Sequence, residues 1–282
     1  MEKDIKTVLS ECGFSFKKKF GQNFITDKNL LSSIVEKSGA SAGDTVIEIG
    51  CGAGTLTRAI AERVGRVIAF EVDTSLKSVL EITLAGLDNA EVVFKDFLKV
   101  DLAELEKQIG TYSVIANLPY YVTTPLITKL VEEGKSCKSL TVMVQEEVAE
   151  RLCARENTPE YGAITAVIAL NCDAEIIKRV PRTMFTPHPN VDSAVVKLTV
   201  RAGRIAVSDG ALYKKVVHAA FSARRKTLEN NLVNAFGLTR AQAGEVIAGC
   251  GIDQRARGET LSPEKFASLT DALGKVLCNL HK

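Results

Sequence analysis

No stretch of the 282-residue chain approaches the ~18 consecutive apolar residues that a membrane-spanning helix needs, and its first ten residues carry charges every few positions where a secretory leader would be apolar. A cytoplasmic protein with no membrane role is the expectation. The seven cysteines, at positions 12, 51, 137, 153, 172, 250 and 278, include no Cys-x-x-Cys pair, and His188, His218 and His281 stand far apart. That spacing argues against a zinc or Cys-His site, and an odd count of scattered cysteines suits free thiols in a reducing compartment. No metal site is expected. Internal repeats and low-complexity tracts are also missing, and a formal net charge of +2 is too small to announce a polyanionic partner by itself. A nucleic-acid footprint would have to come from local clusters.

With 46% hydrophobic and 25% charged residues the chain can bury a real core, and its length favours one large domain with a smaller appendage. From about Thr45 to Val200, short β-branched runs alternate with amphipathic segments. The strand candidates are Thr45 to Ile49, Val67 to Phe70, Val92 to Phe94, Tyr112 to Ala116 and Leu140 to Val144; Leu56 to Val64, Leu76 to Leu84 and Thr124 to Val131 read as helices between them. This pattern predicts a doubly wound α/β domain, a parallel sheet with helices on both faces. Beyond Val200 the strand runs stop, and helices punctuated by Gly237, Gly251 and Pro263 predict a small all-helical C-terminal domain. Asp27 can cap a helix carrying Leu30, Leu31, Ile34 and Val35. The expected organisation is a basic arm over 1–26, an α/β domain over 27–202 and a helical domain over 203–282.

Four features carry chemistry. Glu48-Ile49-Gly50-Cys51-Gly52-Ala53-Gly54-Thr55 falls where the first strand should turn into a helix, and its glycines allow a sharp turn and close approach of a ligand to the helix N-terminus. The G-x-G-x-G spacing departs from the G-x-G-x-x-G of dinucleotide sites. Glu71, 21 positions after Gly50 and at the end of the second strand, can accept both hydrogens of a ribose diol, which selects an adenosine-containing cofactor without choosing which. Asp96, just past the third strand, can accept from an adenine amino group, although an Asp there also serves as a turn former. Asn117-Leu118-Pro119-Tyr120 closes the fourth strand. Adenine N6 is a poor nucleophile because its lone pair is delocalised into the ring. An Asn oxygen and a neighbouring backbone carbonyl can accept the two amino hydrogens and aim the lone pair at a methyl donor. Pro119 stiffens that turn and Tyr120 offers a stacking face.

This tetrapeptide resembles the Asn/Asp-Pro-Pro-Tyr/Phe signature of amino methyltransferases, and the chain as a whole resembles the small-subunit rRNA adenine N6,N6-dimethyltransferase family. The resemblance extends to Lys17-Lys18-Lys19-Phe20-Gly21-Gln22-Asn23-Phe24, which is similar to that family's N-terminal cofactor-lid motif, to Phe185-Thr186-Pro187-His188-Pro189-Asn190-Val191-Asp192-Ser193-Ala194-Val195, and to Phe221-Ser222-Ala223-Arg224-Arg225-Lys226-Thr227-Leu228, which is similar to its helical-domain signature. It implies a Rossmann-like S-adenosylmethionine methyltransferase sheet that dimethylates two adjacent adenosines near the 3′ end of small-subunit rRNA, in a pre-ribosomal particle and as a monomer. The implied cofactor contacts are Gln22, Asn23, Ile25, Gly50, Gly52, Gly54, Glu71, Val72, Asp96, Phe97 and Asn117. Asn117, Leu118, Pro119 and Tyr120 form the catalytic turn. Cys51 departs from the Pro that many relatives carry.

Phe185, stiffened by the two prolines after it, is read as a second wall of the base pocket opposite Tyr120, with a core position as its alternative. An adenine inside a duplex must be extruded before N6 is reachable, and two aromatic walls would offset that cost. Lys17, Lys18 and Lys19 are read as phosphate contacts. Arg224, Arg225 and Lys226 are read on a helix whose stripe is Phe221, Leu228, Leu232 and Phe236, the two arginines standing between packing and RNA contact. Three other functions compete: a large-subunit rRNA adenine methylase, a non-catalytic ribosome-assembly factor that binds RNA, and a small-molecule methyltransferase.

Overall fold

The structure is a computed structural model that describes residues 4–17, 20–203 and 205–280. The chain forms two compact units. One runs to Ala149 and resumes over Ala174–Val200; the other joins Glu150–Asp173 to the chain from Arg201 onward.

The first unit begins with α1 (Ile5–Glu11), the two-residue strand β1 (Phe24–Ile25) and α2 (Lys28–Ser38). The carboxylate of Asp27 accepts from the Leu30 amide at 2.7 Å and starts α2, while Gly39 at φ 81° ends it. Then β2 (Thr45–Ile49), α3 (Thr55–Ala61), β3 (Arg66–Glu71), α4 (Lys77–Thr83), β4 (Ala90–Phe94), α5 (Leu102–Ile109), β5 (Tyr112–Asn117), α6 (Thr123–Glu133) and β6 (Cys137–Gln145) alternate. Two further strands, β7 (Cys172–Val180) and β9 (Ser193–Val200), complete a seven-stranded sheet in the order β4-β3-β2-β5-β6-β9-β7, and β8 (Phe185–Thr186) pairs with β1. Val46 and Ile47 in β2 and Val114 and Ile115 in β5 are wholly buried, as expected for central strands covered on both faces.

Strands β2 to β6 pair in parallel, but β9 runs antiparallel to β6. The expected parallel sheet is therefore mixed at its far edge. β9 follows its other neighbour β7 through only a turn and the short β8 over Pro181–Asp192, which lacks the crossover that a parallel neighbour needs. The strand order reverses at β2, with β3 on one side and β5 on the other. The loops leaving β2 and β5 therefore diverge at the carboxyl edge, the usual ligand crevice of open α/β sheets.

The second unit contains α8 (Ala163–Ala169), α9 (Gly210–Phe221), α10 (Leu228–Phe236), α11 (Arg240–Gly249) and α12 (Pro263–Leu280), reached through α7 (Glu146–Leu152). Its division differs from the expected boundary at 202. Residues 150–173 go with the helices because Tyr161, Ala166, Val167 and Leu170 share one apolar core with Tyr213, Leu232, Phe266 and Leu273. Two buried phenols reinforce that core, Tyr161 donating to the Leu261 carbonyl and Tyr213 to the Ala166 carbonyl, each at 2.9 Å. The expected separate arm is also revised. Ile5, Val8 and Leu9 are buried with Leu76, Val79 and Leu80 in the first unit, so α1 is part of its core. Among the described residues no helix is long and apolar enough to cross a membrane.

Candidate active site

The glycine loop follows β2 and is tied to the end of β3. The Gly50 and Cys51 amides donate to the Phe70 carbonyl at 2.8 and 3.3 Å, and the Gly52 amide donates to Glu71 Oε2 at 2.8 Å. Much of the loop's amide capacity is thus satisfied internally, so its glycines act through shape. Gly52 sits at φ 55°, and a Cβ there would stand 2.7 Å from the Phe24 ring. Gly50, at φ 75°, faces the Pro119 ring, 3.5 Å from where its Cβ would be. The loop, the arm and the turn after β5 meet at these two positions.

Glu71 is 5% exposed and accepts three amides at 2.8 Å each, from Gly52, Val72 and Asp73. Burial pushes its carboxyl above the usual carboxylate range, and the amides offset that only in part. Asp96 accepts from the Leu98 amide at 3.0 Å and so builds its own turn. Asn117 Nδ2 donates to the Asn23 carbonyl at 3.0 Å. An amide held by its nitrogen presents its oxygen on the other side, which makes Asn117 Oδ1 an acceptor of fixed direction. Leu118 is buried, its amide bonded to the Met143 carbonyl at 3.1 Å. The Pro119 carbonyl accepts from the Val122 amide and Thr123 Oγ1. The half-buried Tyr120 shares a 2.7 Å hydrogen bond with Oγ of Ser193, which is wholly buried; burial raises the phenol above its ordinary range, with the Ser193 bond working against that.

These groups line one cleft of about 340 Å³, joined by Gln22, Asn23, Val72, Phe97 and the exposed Tyr121. A second cavity, of about 490 Å³, shares Gly21, Gln22, Asn23 and Tyr120 with it and is completed by Phe16, Lys17, Gln145 and the segment 187–191.

Not every expected site residue reaches the cleft. Ile25 is 3% exposed and belongs to the core. Gly54, at φ 81°, starts α3 and faces Leu80 and Thr83 on its other side. Phe185 is a correction: it is 1% exposed and packs among Leu30, Leu31 and Ile34. Pairing of β8 with β1 places it opposite Ile25 and keeps it in the core. Lys17 is committed to Asp73, at 2.6 Å, while Lys18 and Lys19 lie outside the described residues. The helix read through Phe221 to Phe236 is in fact two, broken at Ser222–Thr227 where Thr227 caps α10. Arg224 spans that break and donates to the Tyr161 and Pro159 carbonyls at 2.7 and 3.2 Å, so its role is packing. Arg225 and Lys226 are exposed. Asp73 and Tyr121 were missed, although each directly adjoins a motif.

Glu48, the residue before Ile49 and the glycine loop, is 1% exposed, and its Oε2 has no hydrogen-bond partner among the described residues. Burial, with Glu71 nearby, pushes its carboxyl up to about 8 from 4.5. Folding therefore favours the protonated acid, and stability from this group falls as pH rises from 4.5 through 8. Glu48→Gln is expected to flatten that decline, gaining more over the parent at pH 8.5 than at pH 5 in urea unfolding; an equal difference at both pH values would contradict it. Burial and the two carboxylates also raise the Cys51 thiol, so it is inert. Among the described residues no group of three His, Cys, Asp or Glu side chains could hold a metal ion.

A family profile described as ribosomal RNA adenine dimethylase matches residues 13–275. The ribosomal RNA small subunit methyltransferase A of Geobacillus thermodenitrificans is 45% identical over 287 residues, covering 97% of this chain and 98% of that protein. That of Bacillus licheniformis is 44% identical over 291 residues, covering 98% and 100%. Among solved structures, a dimethyladenosine transferase from Plasmodium falciparum shares the fold with TM-score 0.77 and 24% identity, covering 89% of this chain and 98% of that one. The 23S rRNA methyltransferase ErmE superposes with TM-score 0.67 at 26% identity, covering 89% and 100%.

Proposed function

The chain belongs to the ribosomal RNA adenine dimethylase family, and from that premise we propose that it uses S-adenosylmethionine to dimethylate N6 of two adjacent adenosines near the 3′ end of small-subunit rRNA. The orientation of the Asn117 amide carries this reading: its nitrogen is held by the Asn23 carbonyl, so its oxygen is the group offered to an incoming amine.

The residues present fit the cofactor. The cleft volume lies near the lower end of the roughly 300–1,000 Å³ range of ligand sites, and it is lined by Gly50 and Gly52, a side chain at Gly52 being excluded by Phe24. The one lone pair left on Glu71 Oε2 can accept a ribose hydroxyl, and Asp96 can accept from an adenine amino group. Gly50 and Gly52 admit the ligand, with Val72 and Phe97 as apolar walls. S-adenosylmethionine supplies a methyl group already activated on a sulfonium.

The target adenosine approaches through the second cavity, whose boundary with the cleft is Asn23 and Tyr120. Asn117 Oδ1 accepts one N6 hydrogen. The Pro119 carbonyl is already taken, so the second acceptor is assigned to the Leu118 carbonyl. In the first transfer both hydrogen bonds localise the nitrogen lone pair; the monomethylated amine has one hydrogen left to donate in the second, and positioning replaces a strong base in both. Tyr120 stacks on the base, with the Ser193 hydroxyl fixing its ring. The amine then loses a proton to solvent. The exposed Arg225 and Lys226 are assigned to phosphate contact, and the enzyme acts as a cytoplasmic monomer on a pre-ribosomal particle.

Tyr120→Ala is expected to remove about 1–3 kcal/mol of base stacking, roughly 5- to 150-fold in kcat/KM for RNA, with a smaller change in cofactor affinity; a loss confined to cofactor binding would contradict the assignment. The reading as a whole is tested by incubating the protein and labelled cofactor with immature small subunits, large subunits or naked rRNA and mapping the methylated bases. Adjacent adenines in small-subunit RNA are expected. Label confined to large-subunit RNA would support the ErmE-like alternative, which rests on the weaker likeness of 26% against 45%.

A further inference from the structure

Two side chains of the arm converge on one carboxylate beyond the cofactor-binding strand end. Lys17 Nζ lies 2.6 Å from Asp73 Oδ1 and 2.7 Å from Ser75 Oγ, and Gln22 Nε2 donates to Asp73 Oδ2 at 2.9 Å. The Lys17 amide donates to Gln22 Oε1 at 2.8 Å, which closes the loop of contacts. Asp73 is 3% exposed although it is charged. Burial alone would raise its carboxyl, but the hydrogen bonds from Lys17, Ser75 and Gln22 outweigh burial and hold it at about 2. The residues tied down in this way continue into the cleft wall: Gly21 faces the Tyr121 ring, the Asn23 carbonyl takes Asn117, and the Phe24 ring covers Gly52. Pairing of β1 with β8 fixes the C-terminal end of this wall, and the aromatic cluster of Phe14, Phe16 and Phe24 steadies the chain before Lys17. Between them, Lys17 and Gln22 are held through Asp73, and Asn23 through Asn117.

We propose that Asp73 is a positioning residue for cofactor retention, latching the Phe20–Phe24 wall over the cleft through Lys17 and Gln22. The proposal rests on the cleft being the S-adenosylmethionine site. It reassigns Lys17 from RNA contact and Gln22 from direct cofactor contact to closure of the wall. It also gives Asp73, two residues past the ribose-binding Glu71, a distinct task.

Lys17→Met, Lys17→Arg, Asp73→Asn and the Met/Asn double variant of the full chain separate the possibilities. Lys17 is 38% exposed, so Lys17→Met remains informative even where Asp73→Asn, which also weakens the Ser75 cap, fails to fold. Hydrogen exchange of the 20–24 amides without cofactor is expected to quicken roughly tenfold or more in Lys17→Met. S-adenosylmethionine and S-adenosylhomocysteine Kd by calorimetry should rise by a similar factor, and the arginine variant should recover most of the affinity. The double variant should be no weaker than the worse single one. Unchanged exchange in Lys17→Met, quickened exchange with unchanged affinity, or fully additive losses would each overturn the latch. If the unmodified chain bound no S-adenosylmethionine, the cofactor reading would fail, and the exchange result would still report whether Asp73 holds the wall.

Discussion

Asn117→Ala is expected to slow methyl transfer by at least about 100-fold in single-turnover assays, because the proposed reaction uses no nucleophilic residue and rests on the direction of one lone pair. The same side chain also anchors the arm through the Asn23 carbonyl. Alanine removes a single neutral hydrogen bond there, worth about 0.5–1.5 kcal/mol, so cofactor Kd should rise only several-fold. Asn117→Asp separates the two duties. It retains an acceptor for the amine but sets a carboxylate oxygen against the Asn23 carbonyl. Cofactor affinity should therefore fall further with aspartate than with alanine. Undiminished transfer by Asn117→Ala would remove the catalytic assignment outright.

Phe185→Ala is expected to cost about 3–5 kcal/mol of unfolding free energy, the range for emptying a buried aromatic site. The ring is 1% exposed among Leu30, Leu31 and Ile34 from α2. Phe185→Leu, which retains most of the volume, should keep both stability and transfer. Denaturant midpoints and initial rates on both variants distinguish a core residue from a base clamp. A Phe185→Ala protein that kept its midpoint and lost transfer would show the ring acting on substrate.

Five of the seven strands, β2 to β6, were legible because they carry runs of β-branched and apolar residues, and Thr45–Ile49 is a strand with the expected bounds; β7 and β9 were not anticipated as strands, and Asn117 stands at the end of β5. Parallel pairing was overextended because strand type shows in local pattern, whereas strand direction depends on the connection, and Pro181–Asp192 carries no crossover helix. The site motifs were legible as short strings whose residue types have few structural uses together. Individual roles within them were less so. Lys17 and Gln22 read as ligand-facing because their partner, Asp73, is 56 and 51 residues away in the sequence. Phe185 read as a clamp because nothing local reveals which face of β8 meets the core. Arg224 was undecided for the same reason, and its partners at Pro159 and Tyr161 come from a segment assigned to the other domain.

That assignment of residues 150–173 has a consequence for how the protein is made. Tyr161, Ala166, Val167 and Leu170 emerge from the ribosome some forty residues or more before the first helix that covers them, α9 at Gly210–Phe221, and about a hundred before Phe266 and Leu273. At roughly 5–20 residues per second, this apolar stretch waits several seconds for its partners. The sheet strands translated in the interval have no such wait. A nascent chain stalled near residue 205 should therefore engage a hydrophobe-binding chaperone through this stretch and release it only once α12 has been synthesised.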